Sequence, residues 1–405
     1  MMIHWAWIIL IASFFTICVN HSIRIGAYSV LLPKMIQTLG INMTQAGMIR
    51  AAFFITYVFF SPLMGWLTDR IGGRFVISFF CLFLGAGTFL MGQASSLFTA
   101  ILFHGIVGIG SAAMWAPTVT LIQKWFGAKR RGLALGILST SSPLGYGLMG
   151  VILPTIVINY SWRMGWYLLG LSGLILVVVN AFLLRSDPKE MGLLPWGEVS
   201  KSIPFSSESH SSIHYKDVLR QGTFWLIGLS YSSISFGTYI ITDFIVTYGV
   251  VELKLQYPVA SAFISIMAFT GIAGGFVLMS LSDYIGRKRS LLIIHSLVTF
   301  SILLIIFVAG YIPLVRIGIG VFGFLYGAIW PMYAVCARDY FPKEVGGTVI
   351  GLFTLLYGVG AILGPIIAGR LADVTGTFRW SFGLGALMAL TAAMVIGFLR
   401  KPKEF

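Results

Sequence analysis

Gly65-Trp66-Leu67-Thr68-Asp69-Arg70-Ile71-Gly72-Gly73-Arg74 is a short, charged, glycine-rich break between two long apolar runs. A related stretch, Met279-Ser280-Leu281-Ser282-Asp283-Tyr284-Ile285-Gly286-Arg287-Lys288, keeps an acid, an aliphatic residue, a glycine and a base in the same order. The two acids, Asp69 and Asp283, are 283 − 69 = 214 positions apart. The recurrence predicts two copies of one unit, each with a charged hinge after its second apolar run.

Other landmarks recur at nearly the same spacing. Trp115, close to a proline, is matched by Trp330, 330 − 115 = 215 positions later and also beside a proline. Three more pairs have this spacing: Phe126 with Phe341, Gly132 with Gly347, and Gly136 with Gly351. The chain is therefore expected to form two pseudo-symmetric halves.

Composition places both halves in a membrane. Of the 405 residues, 58% are hydrophobic and only 10% are charged, and the mean hydropathy is +0.92. A soluble protein of this composition would expose too much apolar surface. An apolar run of about 20 residues spans a bilayer as a helix, and the alternating ten-residue segments of a membrane barrel are absent. The fold class is an all-α polytopic membrane protein.

Twelve transmembrane helices are predicted, six in each half. The halves are 1–184 and 221–405, and the hydrophilic, proline-containing segment 185–220 between them is predicted to be a cytoplasmic linker with a short surface helix. The predicted spans are 5–32, 44–66, 75–92, 97–121, 131–155, 162–184, 221–248, 258–281, 289–310, 312–336, 345–369 and 379–399.

The net charge of +14 is attributed to loop topology and not to nucleic-acid binding. Lysine and arginine concentrate in the loops on one side of the predicted spans, which the positive-inside rule assigns to the cytoplasm together with both termini. The first span lacks a basic leader and a cleavage site, so it is expected to be retained. The short loops favour a multi-pass protein of a bacterial inner membrane, expected to be a monomer in the lipid bilayer.

Enzymatic and metal sites are not expected. Cys18, Cys81 and Cys336 are scattered through apolar runs and form neither a disulfide framework nor a metal-ligand pattern. The sequence contains no Walker loop and no evident pair of nucleophile and base. We therefore predict a protein that is not an enzyme and has no cofactor and no metal.

The first hinge matches in full the hallmark loop Gly-x-Leu-x-Asp-Arg-x-Gly-x-Arg of the major facilitator superfamily of secondary transporters, through Gly65, Leu67, Asp69, Arg70, Gly72 and Arg74. The second copy keeps Asp283 and Gly286 and ends in the basic residues Arg287 and Lys288, but it has Met279 and Tyr284 in place of the first glycine and the first arginine. The whole chain resembles this superfamily, which implies the major facilitator fold and rocker-switch alternating access. The resemblance also implies that Asp69 caps a neighbouring helix and pairs with loop arginines, where a carboxylate is stabilising.

Within the superfamily, the chain resembles the oxalate–formate antiporter and monocarboxylate transporter group, through 125–136 and the linker stretch 188–195. Three departures bear on its substrate. The eighth span carries no charge at 273–278, where the group has a substrate-binding arginine. Tyr357 stands where oxalate–formate antiporters have a lysine, and His104 stands where the superfamily usually has an arginine.

Ionisable residues inside predicted spans are candidates for function. Asp243 is the one acid, accompanied by Arg24, Arg50, Arg316, His21, His104 and His295. The first and seventh spans face each other in similar folds, so we expect Arg24 to bind an anionic substrate and Asp243 to act as its competing partner or gate. A purely structural ion pair between the two is the alternative.

The other charged residues receive weaker assignments. His21 lies one helical turn before Arg24 and could relay protons, although a packing role is also open. His104 is a coupling candidate because of the position that it occupies. Arg50 lines an outer cavity or snorkels to the interface, and Arg316 is expected to snorkel. His295 is expected to be structural.

Aromatic residues near helix-breaking prolines complete the candidate site. Trp115 and Trp330 lie next to prolines in mid-span, where a kink is expected. The predicted substrate-binding set is Arg24, Tyr28, Trp115, Tyr239, Trp330, Tyr333 and Tyr357. Ordinary membrane packing by these aromatic residues is the alternative.

The function that these features favour is secondary transport of a small organic anion, such as a monocarboxylate or a sugar acid, coupled to a proton or to a counter-anion. Efflux of amphipathic uncharged or cationic compounds is one alternative, although Arg24 would repel cations. A non-transporting sensor or scaffold with the same fold is another.

Overall fold

The structure is a computed structural model, and it describes residues 4–198, 218–342 and 345–400. Twelve helices in these ranges are long and apolar enough to cross a membrane, which confirms the predicted fold class. They are α1 Trp5–Leu39, α2 Met43–Ile71, α3 Gly73–Met91, α4 Leu97–Trp125, α5 Arg131–Asn159, α6 Trp162–Leu183, α7 Gly222–Val251, α8 Tyr257–Ile285, α9 Arg287–Phe307, α10 Ile312–Tyr340, α11 Gly346–Thr375 and α12 Arg379–Gly397.

The hinge stretches are more helical than the sequence suggests. α2 continues through Asp69 and ends at Ile71, and α8 continues through Asp283 and ends at Ile285. A single glycine then separates each helix from the next: Gly72 has φ 84° and Gly286 has φ 85°. These backbone angles strongly favour glycine, and the two residues are 286 − 72 = 214 positions apart. The two copies of the repeat therefore form one-residue turns with nearly the same backbone angle.

The two mid-span prolines behave differently. α4 is interrupted after Ala112 and resumes at Trp115, so Pro117 occupies the first turn of the resumed helix, where a missing N–H has no intrahelical partner to lose. α10 is continuous across Pro331 from Ile312 to Tyr340. An interruption near the proline is therefore present in α4 and absent in α10, and the kink expected at Pro331 stays a prediction.

An irregularity that the sequence does not signal lies in α1. Residues Ser22–Ala27 form a π-helical turn between two α-helical segments. The Ser22 hydroxyl lies 3.0 Å from the carbonyl oxygen of Cys18 and 2.9 Å from that of Gly145 on α5. A hydroxyl that bonds to a carbonyl of its own helix and to one on a neighbouring helix competes with the regular backbone ladder. Arg24 is carried on this widened turn.

Two compact units make up the chain. The first contains residues 1–31 and 52–206, and the second contains 32–51 and 207–405. The second unit therefore includes the end of α1 and the beginning of α2, which the predicted division into 1–184 and 221–405 places in the first half. That predicted division stays a prediction.

Part of the predicted linker is ordered against the first unit. Pro188–Met191 forms a 3₁₀ turn, and the Trp196 N–H donates to the carbonyl oxygen of Trp125 at 2.9 Å. The Trp196 ring lies 5.0 Å from Trp7 and 5.7 Å from Phe126 between ring centroids. Residues 199–217 of the predicted linker lie outside the described residues.

Within the second unit, the beginning of α2 is held by α11. The Asp373 carboxylate accepts hydrogen bonds from the backbone N–H groups of Met43 at 2.9 Å and Thr44 at 2.8 Å. It also accepts one from the Thr44 hydroxyl at 2.5 Å. Orphan N–H groups at a helix start are satisfied in this way, and the negative charge suits the positive end of the helix dipole.

Close helix packing in the second unit depends on small residues. A Cβ placed on Gly274 of α8 would lie 2.5 Å from the carbonyl carbon of Phe324 on α10. A Cβ on Gly327 would lie 2.7 Å from the carbonyl carbon of Gly271. Backbone-to-backbone contact of this kind leaves no room for a side chain and is typical of membrane helix pairs.

Replacing Gly274 with alanine should destabilise the protein. The added methyl group meets rigid backbone, and overpacking of this kind costs about 1–3 kcal/mol. Thermal unfolding of the purified G274A variant in detergent should give a lower Tm than the wild type. G351A is the matched control, since a Cβ on Gly351 meets nothing within 4 Å. Equal Tm values for G274A and G351A would show that the α8–α10 contact is not tight.

Replacing Asp373 with alanine should weaken the start of α2. Loss of a capping side chain costs about 1 kcal/mol, so D373A should unfold at a lower temperature than the wild type in the same detergent. D373N keeps one acceptor oxygen and should lie between the two. If D373A unfolds at the wild-type temperature, the cap does not contribute to stability.

Candidate functional site

Arg24 lies against a wall of aromatic rings in the first unit. Its guanidinium carbon is 4.8 Å from the ring centroid of Tyr57, 5.6 Å from that of Phe54 and 5.8 Å from that of Phe53. All three rings are on α2, and the Arg24 side chain is partly buried. Contacts of this kind stabilise a cation in a low-dielectric setting, so the guanidinium is held at a defined place within a membrane-spanning segment.

Tyr28 and His104 extend this cluster. Both side chains are fully buried, and their rings stack with centroids 5.0 Å apart and an interplanar angle of 11°. Phe53 lies 5.3 Å from His104 and also contacts Arg24, so it joins the two parts. The structure thus brings three predicted site residues, Arg24, Tyr28 and His104, into one group that we call the arginine cluster, completed by Phe53, Phe54 and Tyr57.

His21 lies one turn before Arg24 and contacts α5. Its Nδ1 atom is 3.1 Å from the carbonyl oxygen of Ile17 and 3.3 Å from the hydroxyl oxygen of Ser142. These contacts suit either a packing histidine or a relay, so the proton-relay role stays a prediction.

Trp115 is not part of the arginine cluster among the described contacts. It is the first residue of the second segment of α4, and its side chain is 40% exposed. The substrate-binding role that the sequence suggests for it receives no geometric support.

Asp243 forms a buried ion pair with Arg50 inside the second unit. The Nε atom of Arg50 is 3.0 Å from Oδ2 of Asp243, and the two side chains are 0% and 1% exposed. The guanidinium of Arg50 also lies 5.6 Å from the ring centroid of Tyr239. Arg50 therefore does not snorkel to the surface. Arg50 belongs to the segment 32–51, which is part of this unit. The predicted relation between Asp243 and Arg24 stays a prediction.

Five aromatic residues of the second unit pack together beside this pair. Tyr231 stacks on Tyr333 with centroids 4.1 Å apart, and Trp330 lies 5.1 Å from Tyr357 and 6.0 Å from Tyr239. We call Tyr231, Tyr239, Trp330, Tyr333 and Tyr357 the aromatic wall. Four of its members were predicted site residues, and the structure brings all four together.

Hydroxyl groups in the aromatic wall are linked to one another and to α7. The Tyr239 and Tyr357 hydroxyl oxygens are 2.5 Å apart, and that of Tyr333 is 2.7 Å from the Ser230 hydroxyl. The Tyr333 hydroxyl is also 3.4 Å from Nε2 of His295. The His295 side chain is fully buried, which is consistent with the structural role expected for it. A small cavity opens onto Tyr231, Trp330 and Tyr333.

Several members of these groups were not predicted from the sequence. Tyr231 lies eight residues before Tyr239 on α7, a spacing that places both on one helix face, so this signal was available. The second span is rich in aromatic residues, so nothing in the sequence separates Phe53, Phe54 and Tyr57 from the other aromatic residues there. Arg316 is exposed, as expected for a residue that snorkels.

The two hinges have different contacts. In the first hinge, Asp69 and Arg70 are exposed, and the Arg70 guanidinium lies 4.3 Å from the ring centroid of Trp66. Arg74 donates two hydrogen bonds to the carbonyl oxygen of Ala181, from Nε at 3.0 Å and from Nη2 at 2.6 Å. Gly65 lies within α2, and a Cβ there would meet nothing within 4 Å.

In the second hinge, Arg287 forms an ion-pair network. Its guanidinium is 2.5 Å from Asp283 and 3.1 Å from Asp339, and it also donates to the Ser282 hydroxyl. The conformational role of both hinges stays a prediction.

Within the described ranges, no group of three or more His, Cys, Asp or Glu residues could hold a metal ion. The arginine cluster contains a guanidinium, an imidazole and tyrosine hydroxyl groups, and the aromatic wall contains tyrosine hydroxyl groups and an indole N–H.

Comparisons with known proteins agree with this architecture. The family model described as "Major Facilitator Superfamily" matches residues 7–365 and, in a second match, residues 274–404. A hexuronate transporter of Bacillus subtilis is 27% identical and aligns with 93% of this chain and 90% of its own length. A probable galactarate/D-glucarate transporter of the same organism is 24% identical, with 96% and 91% covered.

More distant relatives show the same pattern. Monocarboxylate transporter 4 of Gallus gallus is 22% identical, with 97% of this chain and 82% of that protein covered. Among solved structures, a bacterial homologue of the human lysosomal transporter Spinster superposes with a TM-score of 0.72 at 16% identity, covering 98% of this chain and 95% of that one. These curated relatives are transporters and not enzymes. With its family-model match, its twelve spans and its repeated hinge, the chain belongs to the Major Facilitator Superfamily.

Proposed function

We propose that this protein is a secondary transporter of a small organic anion of the sugar-acid type, working by alternating access. The observation that carries the proposal is the arginine cluster: a guanidinium in a membrane-spanning segment, held against Tyr57, Phe54 and Phe53. A charged residue at this depth is costly to keep, so it marks a substrate pathway by default.

Arg24 suits the carboxylate of such a substrate. A planar guanidinium offers paired N–H donors that match a carboxylate, and charge-assisted hydrogen bonds of this kind are stronger than neutral ones. The low dielectric of the protein interior strengthens the attraction further.

The aromatic wall favours a polyhydroxylated acid over a simple monocarboxylate. Within the second unit, rings of this kind suit the apolar face of a sugar, and tyrosine hydroxyl groups are of the type that bonds to sugar hydroxyl groups. The relatives described as transporters of hexuronate and of galactarate/D-glucarate support the same class.

The transport cycle that we propose needs no bound nucleotide. We assign the hinge role to the glycine turns at Gly72 and Gly286, which have nearly identical φ angles. Proton symport and anion exchange both fit a cationic binding residue. The proposal also includes both chain ends in the cytoplasm, as the loop charges indicate. It further includes a monomeric transporter in a bacterial inner membrane.

Flux measurements on purified protein in proteoliposomes test this function. Labelled glucuronate, galactarate and lactate, and the cation tetraphenylphosphonium, would be supplied with and without a pH gradient. Uptake of a sugar acid above that of empty liposomes is expected, with lactate transported more slowly. Efflux of the cation, or no flux of any anion, would contradict the proposal.

Variants of Arg24 test the binding role directly. Removing one member of a desolvated charge pair costs about 2 kcal/mol or more, so R24Q should reduce the uptake of the sugar acid at least about 30-fold. R24K keeps the charge but loses the planar fork, and it should be intermediate. The matched control is R316Q, because Arg316 is an exposed arginine of α10. Equal losses in R24Q and R316Q would remove Arg24 from the site.

A further inference from the structure

A buried histidine contacts the aromatic wall from a helix that has so far had no role in the proposed function. His295 lies on α9, and its side chain is fully buried. Its Nε2 atom is 3.4 Å from the Tyr333 hydroxyl oxygen, and the two rings are stacked with centroids 6.0 Å apart and an interplanar angle of 18°. A polar ring inside a membrane-spanning helix is costly to bury without a hydrogen bond, so it is a candidate for function.

The path from His295 to the cavity beside the aromatic wall leads through Tyr333. Residues of α7, α10 and α11 line this cavity, among them Tyr231, Trp330 and Tyr333. His295 is on α9 and contacts the hydroxyl end of the Tyr333 side chain. Any effect of His295 on a molecule bound beside the wall is therefore expected to pass through Tyr333.

His295, Tyr333 and Ser230 form a chain of hydrogen bonds across α9, α10 and α7. The Ser230 hydroxyl oxygen lies 2.7 Å from that of Tyr333 and 3.0 Å from the carbonyl oxygen of Ala392 on α12. The three side chains of the chain are 0–1% exposed. Because bulk water does not reach groups buried to this extent, their donors and acceptors have to satisfy one another.

The directions of these hydrogen bonds follow from the number of protons available. A carbonyl oxygen only accepts, so the single proton of the Ser230 hydroxyl is assigned to the bond with Ala392. Tyr333 then donates its own proton to Ser230, and its oxygen keeps a lone pair for a further donor. Nε2 of His295 is therefore assigned as the protonated ring nitrogen, and it donates to Tyr333.

We propose that His295 is a positioning residue for the substrate site. Its Nε2–H group and the Ser230 oxygen hold the Tyr333 hydroxyl from two helices, which fixes the plane of the Tyr333 ring. Tyr231 stacks on that ring at 4.1 Å between centroids, and the stacked pair borders the cavity. His295 thereby sets the shape of the aromatic surface that a sugar acid contacts, and through it the affinity. This inference rests on the proposed function.

The imidazole is itself held in place by α12. The Thr299 hydroxyl, one turn after His295, donates to the His295 carbonyl oxygen at 3.0 Å and lies 3.4 Å from the carbonyl oxygen of Ala386 on α12. Ser230 of α7 also bonds to α12, through Ala392. Both ends of the hydrogen-bonded chain are thus tied to the same helix, which is the rigid support that a positioning group requires.

The H295N and H295Q variants test the Nε2–H group. The amide nitrogen of glutamine reaches about as far as Nε2, whereas that of asparagine reaches only about as far as Nδ1. H295N should raise the KM of glucuronate uptake in proteoliposomes about 3- to 10-fold, the effect of losing one hydrogen bond, and change Vmax less than about twofold. H295Q should restore a KM close to that of the wild type. S301A is the matched control, because Ser301 is a buried polar residue of α9 whose hydroxyl donates within its own helix, to Val298.

Combining H295N with Y333F separates positioning from packing. If His295 acts through the Tyr333 hydroxyl, Y333F should also raise KM, and the double variant should be no worse than the worse single variant. Fully multiplicative effects, or an H295Q variant as impaired as H295N, would overturn the inference and leave the proposed function intact. No uptake of any sugar acid by the wild type would contradict the proposed function itself, and this inference with it.

Nitrogen-15 NMR keeps the inference testable if the His295 variants fail to fold. Wild-type and Y333F protein labelled with [15N]histidine would be compared in detergent. One of the six histidines should change its signal in Y333F, and in the wild type that histidine should be protonated at Nε2. No change in any histidine signal, or a change in a histidine protonated only at Nδ1, would overturn the inference.

Discussion

The constraint on which the rest of the structure depends is the free energy of placing a charge inside a membrane-spanning helix. The protein meets it in two ways. Arg24 is held against three aromatic rings within the first unit, and Arg50 is neutralised by Asp243 within the second. The first arrangement suits an anion that binds and leaves. The second carries its own carboxylate, so the two charges compensate each other within the unit.

The fold could be read from the sequence because its signals are local. Apolar length predicts the twelve helices, and the repeated Asp-x-Ile-Gly pattern predicts two equivalent turns, which the angles of Gly72 and Gly286 match. The ends of the helices were less predictable. Hydropathy detects the apolar part of α2, but the helix continues through the charged residues of the hinge to Ile71, since helical hydrogen bonding does not require apolar side chains.

The candidate site was only partly predictable, because its partners are set by tertiary packing. Arg24, Tyr28 and His104 were identified as single residues, but the π turn that carries Arg24 depends on a bond from Ser22 to a carbonyl of α5. The pairing of Asp243 with Arg50 depends on the packing of segment 32–51 in the second unit. The uncharged eighth span and Tyr357 are the two departures that put a simple carboxylate substrate in question. The structure shows what Tyr357 does in place of a lysine: its hydroxyl forms a hydrogen bond with that of Tyr239.

A structure of the protein with bound glucuronate tests the central claim most directly. The expected result is a substrate carboxylate within about 3 Å of the Arg24 guanidinium nitrogens, the distance of a charge-assisted hydrogen bond. A carboxylate bound elsewhere, with no contact to the Arg24 guanidinium, would contradict the assignment of Arg24 as the anion-binding residue.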